Sequence, residues 1–380
     1  MRINLKILGI AIIISLFPIC DCLAQNVKII FAGDLMGHTP QHTAALQKDG
    51  TYDYNPCFRY VKDYIQSADL AILNLEVTLA GPPYTGYPEF SSPKALAQAA
   101  KDAGFDIMMT ANNHCMDRGK HGLEKTIFVL DSLGIPHLGT YVDTASHDRE
   151  HPMFVECNDV KLALLCYTYG TNGKEVFPPN VVNFIDTTEM SRDLDIARSG
   201  NPDFIITLIH WGIEYDVHSS YIQERRARWL LEHGSDVVIG GHSHVVQNFT
   251  LDANPDNDIY PEIVVYSMGN LVSNQRKVNT DGGIMIELDL VKNEENTEVY
   301  NCRYMPYWVN RGTVDGLYQY YIVPSTDAVE NPESYQIRGE AFKALKLFSN
   351  NTRARLDSCA MKSGANIIEH RVYKNMKFEP

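Results

Sequence analysis

The stretch VIGGHSHVVQ, residues 238–247, joins an apolar run to two glycines and two histidines. The glycines allow the backbone to bend after the run, and we expect the imidazoles of His242 and His244 to turn inward. By itself, this GHSH pattern is a weak signal. It predicts a metal site only if other ligand-type side chains reach the same place, so the rest of the chain decides its meaning.

Apolar runs of the same kind recur along the chain and alternate with helical segments. Runs rich in Val, Ile and Leu begin at residue 27, and helical signals occupy residues 92–104, 121–134 and 221–234, each of which ends at a glycine. This alternation predicts an α/β fold whose sheet has substantial parallel content. Because the strands are continuously apolar, we expect both faces of the sheet to be covered.

Polar side chains follow several of these runs at the point where each predicted strand ends. They are Asp34, Glu76, Asn112, Asn113, His114, His210, His242 and His244. Loops at the carboxyl ends of strands in open α/β sheets converge, so we expect these groups at one place. A mixture of carboxylate and imidazole suits Mn, Fe or Zn, whereas oxygen ligands alone would suit Ca or Mg. The pattern therefore predicts one or two divalent metal ions.

The charge balance limits the kind of partner that this protein binds. The 380 residues carry 33 basic and 47 acidic side chains, which gives a formal net charge of −14. Electrostatic attraction to nucleic acid or to an anionic membrane surface is therefore disfavoured. If the substrate is itself anionic, a bound cation must supply the positive field that the chain lacks.

The amino terminus resembles a secretory signal. Two basic residues precede an apolar run from Ile7 to Ile19, and Ala24 offers a small residue for cleavage. This pattern predicts export to the periplasm, cell envelope or exterior with removal of residues 1–24, and an uncleaved anchor is the alternative. The six cysteines beyond residue 24 form no CxxC pair, so disulfide bridges and buried thiols both stay open.

The apolar pattern changes near residue 325 and divides the chain. Residues 25–325 form the main domain, and residues 326–380 carry a polar stretch followed by a helical segment. We interpret this tail as a helical appendage packed on the main domain, because such a short segment seldom forms an independent domain.

Six ordered motifs resemble those of the CapA family, which is named for capsule and poly-γ-glutamate synthesis. They are Gly33-Asp34, NLE at 74–76, ANNHCMDRG at 111–119, HWGIEY at 210–215, GGHSHVVQ at 240–247 and YSMGNLV at 266–272. The family is similar in fold to calcineurin-like metallophosphoesterases. The resemblance covers about residues 27–325 and implies a β-sandwich flanked by helices, with the metal site at the carboxyl ends of the strands.

The resemblance also implies a role for each matched side chain. Asp34 corresponds to the first-strand aspartate of the metallophosphoesterases, and Glu76 stands at their metal-bridging aspartate. Asn113 would bind metal, while His114, held by Asp117 or by a neighbouring carbonyl, would donate a proton. The remaining ligands would be histidines, His210 and His242 at one ion and His244 at the other.

Two departures from the metallophosphoesterase pattern concern the metal site that would include Asp34. Met36 stands where the D-x-H pattern has histidine, and a thioether is a poor ligand for a hard cation. That site therefore loses a ligand unless His38 replaces it. Glu76 in place of aspartate changes the spacing of the metals.

Five further residues are expected to orient the ligands or to contact substrate. They are His38, Asn74, Asn112, Glu214 and Asn270. A surface salt bridge is the alternative for Glu214. A plain turn is the alternative for Asn270.

Three functions stay open at this point. The first is a metal-dependent envelope enzyme that acts on an anionic polymer, in capsule or poly-γ-glutamate synthesis or processing, beside envelope-associated polymer-synthesis machinery. The second is a general metal-dependent phosphoesterase of the periplasm that takes phosphorylated small molecules. The third is a noncatalytic assembly factor with a structural metal. Substrate tests separate the first two functions, and an empty metal site at Asp34 would favour the third.

Overall fold

The computed structural model describes residues 25–253, 261–294, 296–314, 316–363 and 367–369. The predicted export signal, residues 1–24, lies outside these ranges. Within them, no helix is both long and apolar enough to cross a membrane. Strands and helices alternate as the sequence predicts, and the strands form two large sheets.

The first sheet is mixed and has nine described strands. Numbered in chain order, they are β1 (Gln25–Leu35), β2 (Leu70–Leu75), β3 (Ile107–Met109), β4 (His137–Leu138), β13 (Asn270–Val272), β14 (Gly282–Lys292), β15 (Thr297–Val314), β16 (Leu317–Pro324) and β17 (Ile367–Glu369). Their order is β16-β15-β14-β1-β2-β3-β4, with β13 paired to β1 and β17 to β15. Strands β1 to β4 are parallel, and β14 runs antiparallel to β1.

The second sheet has six described strands. They are β6 (Met153–Cys157), β7 (Val160–Thr168), β9 (Phe204–His210), β10 (Val237–Gly241), β11 (Phe249–Ala253) and β12 (Pro261–Val265). In the order β11-β12-β10-β9-β7-β6, the four strands β12, β10, β9 and β7 are parallel. A separate ribbon pairs β5 (Thr140–Tyr141) with β8 (Val181–Val182).

The two large sheets pack face to face around a shared apolar core. Phe31 of β1 belongs to the same buried cluster as Leu164 of β7 and Ile239 of β10. The next residue of β1, Ile30, joins a different cluster on the outer face of the first sheet. Since both faces are covered, the strands are continuously apolar. The predicted α/β sandwich is confirmed.

Helices cover the outer faces of both sheets. They are α1 (Thr39–Ala45), α2 (Lys62–Ile65), α3 (Ala95–Ala103), α4 (Gly119–Ser132), α5 (Thr144–Glu150), α6 (Thr187–Ser199), α7 (Tyr221–Glu232), α8 (Ser325–Glu330) and α9 (Gly339–Ser363). Helices α6 and α7 pack on the second sheet through Leu194 and Leu230. The three helices that the sequence predicts to end at a glycine are α3, α4 and α7. Each is followed by a glycine with left-handed backbone, namely Gly104, Gly134 and Gly234.

The tail after residue 325 contributes to the same fold. Leu345 and Phe348 of α9 are buried in a cluster with Trp308 of β15. Leu356 of α9 reaches the core between the two sheets. Strand β17 then pairs in parallel with β15. The described part of the tail is therefore packed against the first sheet and shares its core.

Two glycines allow the sheets to approach each other where β1 and β10 end. A β-carbon at Gly33 would lie 1.9 Å from the carbonyl oxygen of Gly269, and one at Gly240 would lie 2.3 Å from that of Tyr266. The segment 266–270 therefore runs against the ends of both strands. Only glycine leaves room for this contact.

Candidate metal centre

The carboxyl ends of strands from both sheets meet at one edge of the fold, where β1 and β10 end. Asp34 lies at the end of β1 and Glu76 directly follows β2, while His210 ends β9 and His242 directly follows β10. A β-carbon on Gly241 would lie 3.0 Å from Oδ1 of Asp34, so the ends of β10 and β1 are nearly in contact. The strand ends converge as the sequence pattern predicts.

The backbone bends at the two histidines of the HSH segment and not at the glycines before them. Gly240 and Gly241 are the last residues of β10, whereas His242 and His244 have left-handed φ angles of 95° and 58°. Such angles are uncommon for histidine and cluster at functional sites. The expectation that the glycines supply the bend is therefore wrong. Their role is to permit the close packing of the strand ends.

Two groups of three ligand-type side chains form at this edge and share one carboxylate. The first group is Glu76, His210 and His242, and the second is Asp34, Glu76 and His244. Within each group the ligand atoms lie within 4.8 Å of one another, and all five residues are buried. The two imidazoles of HSH therefore belong to different groups, which are joined through Glu76.

Several atoms of these groups lack the partners that buried polar atoms usually have. Both carboxylate oxygens of Glu76 and Nδ1 of His242 are buried, and no described residue forms a hydrogen bond with them. Asn113 brings an amide oxygen to the first group, since its Oδ1 lies 2.8 Å from Nε2 of His210. Among the described residues, the Oε1 atom of Glu76 has only longer contacts, 3.5 Å to Nε2 of His210 and 3.9 Å to Nε2 of His244. Buried carboxylate oxygens without hydrogen bonds are costly unless an ion coordinates them. This donor set of carboxylate, imidazole and amide fits one or two divalent cations.

Burial and mutual repulsion oppose ionisation of the shared carboxylate. Burial, together with the nearby charge of Asp34, raises the pKa of Glu76 well above its usual range. Burial also acts to raise the pKa of Asp34, but contact with His244 and the charges of His210 and His244 lower it to about 2. In the absence of a cation, the ionised form of Asp34 is therefore favoured, whereas the charge of Glu76 is destabilised.

The three histidines differ in protonation. Burial lowers the pKa of His210 to about 3, and burial with the charges of His210 and His244 lowers that of His242 to about 2. Burial acts in the same direction on His244, but the charge of Glu76 and contact with Asp34 raise its pKa to about 9. Because imidazole binds metal in its neutral form, His210 and His242 are ready to do so, while His244 must first release a proton.

A chain of amides orients Asp34. Nδ2 of Asn74 donates to Oδ1 of Asp34 at 2.8 Å, and Oδ1 of Asn74 accepts from Nδ2 of Asn112 at 3.1 Å. Nδ2 of Asn112 also donates to the carbonyl oxygen of Leu75 at 2.9 Å, and its Oδ1 accepts from the backbone N–H of His114 at 3.1 Å. Asn74 and Asn112 are fully buried, so they link the ends of β1, β2 and β3 and do not face a substrate.

His114 and Asp117 form a buried pair beside the two groups. Nδ1 of His114 lies 2.7 Å from Oδ2 of Asp117, which also accepts from the backbone N–H of Phe90 at 2.7 Å. The Phe90 ring packs edge-on against His114, with 4.7 Å between ring centroids. Of the two partners that the sequence leaves open for His114, the structure has Asp117. This contact selects the tautomer with a proton on Nδ1.

Asn270 supports the second group. Nδ1 of His244 lies 3.1 Å from Oδ1 of Asn270 and 3.3 Å from Oδ2 of Asp34. Nδ2 of Asn270 donates to the carbonyl oxygen of Thr280 at 2.8 Å, which fixes the amide. Asn270 is fully buried and begins β13, so the alternative of a plain turn is wrong.

Met36, which replaces the histidine of the D-x-H pattern, and the nearby His38 both lie outside the second group. Met36 is buried in the apolar cluster on the outer face of the first sheet. Nδ1 of His38 accepts from the backbone N–H of Asn274 at 3.3 Å, so this ring is already held. In the described chain, neither side chain joins the two ligand groups. Glu214 is exposed, and its charge is close enough to act on His210.

The loop after β7 belongs to the centre although the ligand pattern in the sequence does not include it. The ring of Tyr169 lies 4.4 Å from that of His242, centroid to centroid. Oδ1 of Asn172 accepts from Nδ2 of Asn113 at 3.2 Å. A signal was present, because β7 is one of the predicted strands and its end follows the same rule as the others. Tyrosine is not among the ligand types by which such a centre is recognised, and Asn172 lies outside the six motifs.

Comparison with known proteins identifies the family. The profile of "Bacterial capsule synthesis protein PGA_cap" matches residues 28–275. The chain belongs to the PGA_cap family. The PGA_cap match includes every residue of the two ligand groups and the His114–Asp117 pair. The family resemblance carried by the six motifs is confirmed.

Known relatives of this PGA_cap protein include two proteins named CapA. The capsule biosynthesis protein CapA of Bacillus anthracis is 26% identical over 282 residues, which cover 71% of this chain and 65% of the relative. The PGA biosynthesis protein CapA of Bacillus subtilis is 26% identical over 278 residues, which cover 69% and 67%. The chain therefore spans about two thirds of the length of each relative.

Similar solved structures include two enzymes. The calcineurin-like phosphoesterase YfkN of Bacillus subtilis has a TM-score of 0.44 and 14% identity, and the match covers 87% of this chain and 98% of that one. A 5'-nucleotidase of Candida albicans has a TM-score of 0.42 and 11% identity, with coverage of 87% and 58%.

Proposed function

We propose that this PGA_cap protein is a divalent-metal-dependent envelope enzyme that acts in capsule or poly-γ-glutamate synthesis or processing, by hydrolysis or by transfer. The observation that carries the proposal is the pair of ligand groups that share Glu76, whose buried oxygens have no hydrogen-bond partner in the described chain. We assign one ion to each group, with Asn113 as a further ligand of the first. Mn, Fe or Zn suits this donor set. The capsule-related names of the relatives support a polymer substrate.

The charge of the protein explains why such a centre would be needed. A chain with a net charge of −14 repels an anionic polymer or a phosphorylated precursor unless a cation stands at the site. When bound, divalent ions polarise the reacting bond, activate water and neutralise developing negative charge. The protein contributes ligands that are already oriented. Asn74 holds Asp34, and Asn270 holds His244.

We assign His114 as the proton donor to the leaving group. Nδ1 of His114 donates a hydrogen bond to Oδ2 of Asp117, which leaves Nε2 of the same ring for the substrate. Contact with Phe90 restricts the ring plane. In hydrolysis or transfer the departing atom must gain a proton; Nε2 would supply it from the imidazolium form of His114, which returns to the neutral ring with its proton on Nδ1.

We further propose that residues 1–24 direct export and are removed. Residues 25–325 would then form the catalytic domain in the envelope, and residues 326–380 would be its helical appendage. The names of the two capsule-related relatives support this location.

Elemental analysis of the protein expressed from residue 25 onward tests the metal assignment. We expect nearly two divalent ions per chain, loss of both in Glu76→Gln, and loss of the first ion alone in His242→Ala. Asp34→Asn should lose only the second ion. His121→Ala is the control, because His121 lies on α4 outside both groups.

Other metal contents would change the assignment. A single ion that is lost in His242→Ala and in Glu76→Gln but kept in Asp34→Asn would show that Met36 has disabled the second group, and a binuclear mechanism would be abandoned. Absence of metal after attempts at reloading would favour a noncatalytic assembly factor.

A substrate panel tests the chemistry. The metal-loaded protein would be assayed with poly-γ-glutamate and with small phosphoesters. We expect His114→Ala to lose most of the rate while it retains the metal, since His114 is not in either ligand group. Loss of metal in this variant would refute its role as proton donor. Turnover of phosphoesters without action on the polymer would favour a general phosphoesterase.

A further inference from the structure

We propose that the loop after β7, residues 169–173, positions Asn113 for metal binding, with Tyr169 and Asn172 as the positioning residues. The inference rests on the function proposed above, because it concerns a ligand of the first metal group. It adds an element of the second sheet that neither the motifs nor the ligand pattern identifies.

The amide of Asn113 can present either its oxygen or its nitrogen to the first group, and only the oxygen binds a cation. Its Oδ1 lies 2.8 Å from Nε2 of His210. On the other side, Nδ2 donates to Oδ1 of Asn172 at 3.2 Å. Burial raises the pKa of the Tyr169 hydroxyl to about 12, although Asn113 is near enough to act to lower that pKa. The acceptor on the nitrogen side, Oδ1 of Asn172, with the hydroxyl of Tyr169 nearby, therefore holds the amide with its oxygen toward the ligand group.

A further contact of Asn172 does not contribute. Its Nδ2 lies 3.5 Å from Nδ1 of His114, but that ring nitrogen carries the proton shared with Asp117. Two donors that face each other form no hydrogen bond. The effect of Asn172 on the centre therefore passes through Asn113.

The loop is tied to the end of a ligand-bearing strand. The backbone N–H of Tyr169 donates to the carbonyl oxygen of His210 at 3.0 Å. Thr171 is buried, and its carbonyl oxygen accepts from the backbone N–H of Lys174 at 3.0 Å. Asn172 has a left-handed φ of 52°, which turns the chain back at this point. The loop thus holds Tyr169 and Asn172 in place from the second sheet.

Tyr169 has a second contact with the same group through its ring. The ring centroid lies 4.4 Å from that of His242 and 6.3 Å from that of His210, with an angle of 12° to the latter ring. Tyr169 is 43% exposed, so it covers the two imidazoles on the side that faces solvent. Removal of the hydroxyl alone therefore leaves this cover intact and tests only the contact with Asn113.

The double variant Tyr169→Phe/Asn172→Gly removes the acceptor of Asn172 and the hydroxyl of Tyr169, and it keeps the aromatic ring. Glycine adopts the left-handed backbone at residue 172 without strain. Titration calorimetry with Mn²⁺ should show that the first ion binds about tenfold more weakly, the loss typical when a supporting hydrogen bond of a ligand is removed. The second ion and the melting temperature of the metal-free protein should not change. Asn158→Gly is the matched control, because Asn158 has a φ of 48° in the turn between β6 and β7.

The same double variant made in an Asn113→Asp background tests the orientation directly. A carboxylate presents an oxygen in either orientation, so the loop substitutions should cause no further loss of Mn²⁺ affinity there. Equal losses in both backgrounds, no loss in either, or a lower melting temperature of the metal-free variant would overturn the positioning role. An unaltered chain that binds no Mn²⁺ would overturn the proposed metal function as well, whereas normal binding that ignores the loop would overturn only this inference.

Discussion

Glu76→Gln is expected to stabilise the metal-free protein while it removes stabilisation by metal. Both oxygens of Glu76 are buried without a hydrogen bond from any described residue, and Asp34 repels the carboxylate. A buried polar group without a partner costs about 1–3 kcal/mol, and more when it is charged. Neutral glutamine relieves the charge, so the free energy of unfolding should rise by about 1–3 kcal/mol.

The two effects predict a change of sign in the melting temperature. For a chain of this length, an unfolding entropy of about 2.1 cal/mol/K per residue converts 1–3 kcal/mol into a rise of about 1–4 °C. At a Mn²⁺ concentration of about 100 times Kd, each ion adds about 2.7 kcal/mol to the free energy of unfolding. Two ions should therefore raise the melting temperature of the unaltered protein by about 7 °C. The variant, which lacks the shared ligand, should not respond.

Scanning calorimetry at about pH 8, first with a chelator and then with Mn²⁺, measures both effects. Glu287→Gln is the matched control, because Glu287 is also fully buried but its Oε1 accepts from Nε of Arg303 at 2.8 Å. This control should melt at a lower temperature under both conditions. The reasoning is wrong if Glu76→Gln melts at a lower temperature than the unaltered protein in chelator. It is also wrong if Mn²⁺ raises the melting temperatures of Glu76→Gln and of the unaltered protein equally.

Three other predictions concern the ion pair of His244, the amide that holds Asp34 and the close packing at Gly33. The pKa of His244 rises from 6.5 to about 9, so its ion pair with Asp34 stabilises the metal-free protein fully below pH 6.5 and is lost as pH rises to about 9. Urea unfolding over this range should show the decline, His244→Gln should flatten it, and Mn²⁺ affinity should increase over the same range. Asn74→Ala should weaken binding of the second Mn²⁺ ion about tenfold by calorimetry, because Asp34 loses its donor; unchanged affinity would exclude this role. Gly33→Ala should lose about 1–3 kcal/mol or more in urea unfolding, because its β-carbon would meet a backbone oxygen 1.9 Å away, whereas Gly312→Ala meets only ordinary contacts.

The residue types at the strand ends were sufficient to predict the fold class and the set of polar groups at the centre. Apolar runs and glycine-terminated helices are local patterns, so α3, α4 and α7 could be predicted without knowledge of the rest of the chain. Parallel strands present their carboxyl ends at one edge, and this general rule brings Asp34 and His210 together although 176 residues separate them.

The same rule explains what the sequence left out. It selects strand ends by side chains of the metal-ligand type, so it passes over Tyr169 and Asn172 at the end of β7. From the sequence, the bend of HSH is also expected at the preceding glycines, because glycine is the residue that most readily adopts left-handed angles. In the structure, His242 and His244 take those angles themselves, since contacts across the edge hold them there.

The sequence by itself thus determined the layered α/β architecture and the inventory of ligand-type side chains, because periodicity and strand ends are properties of short segments. Only the tertiary structure decided that Glu76 is shared by two groups, that HSH contributes one imidazole to each, and that the loop after β7 reaches Asn113. These arrangements depend on distances between the two sheets. Such distances are set by the packing of residues far apart in the chain, which no local pattern encodes.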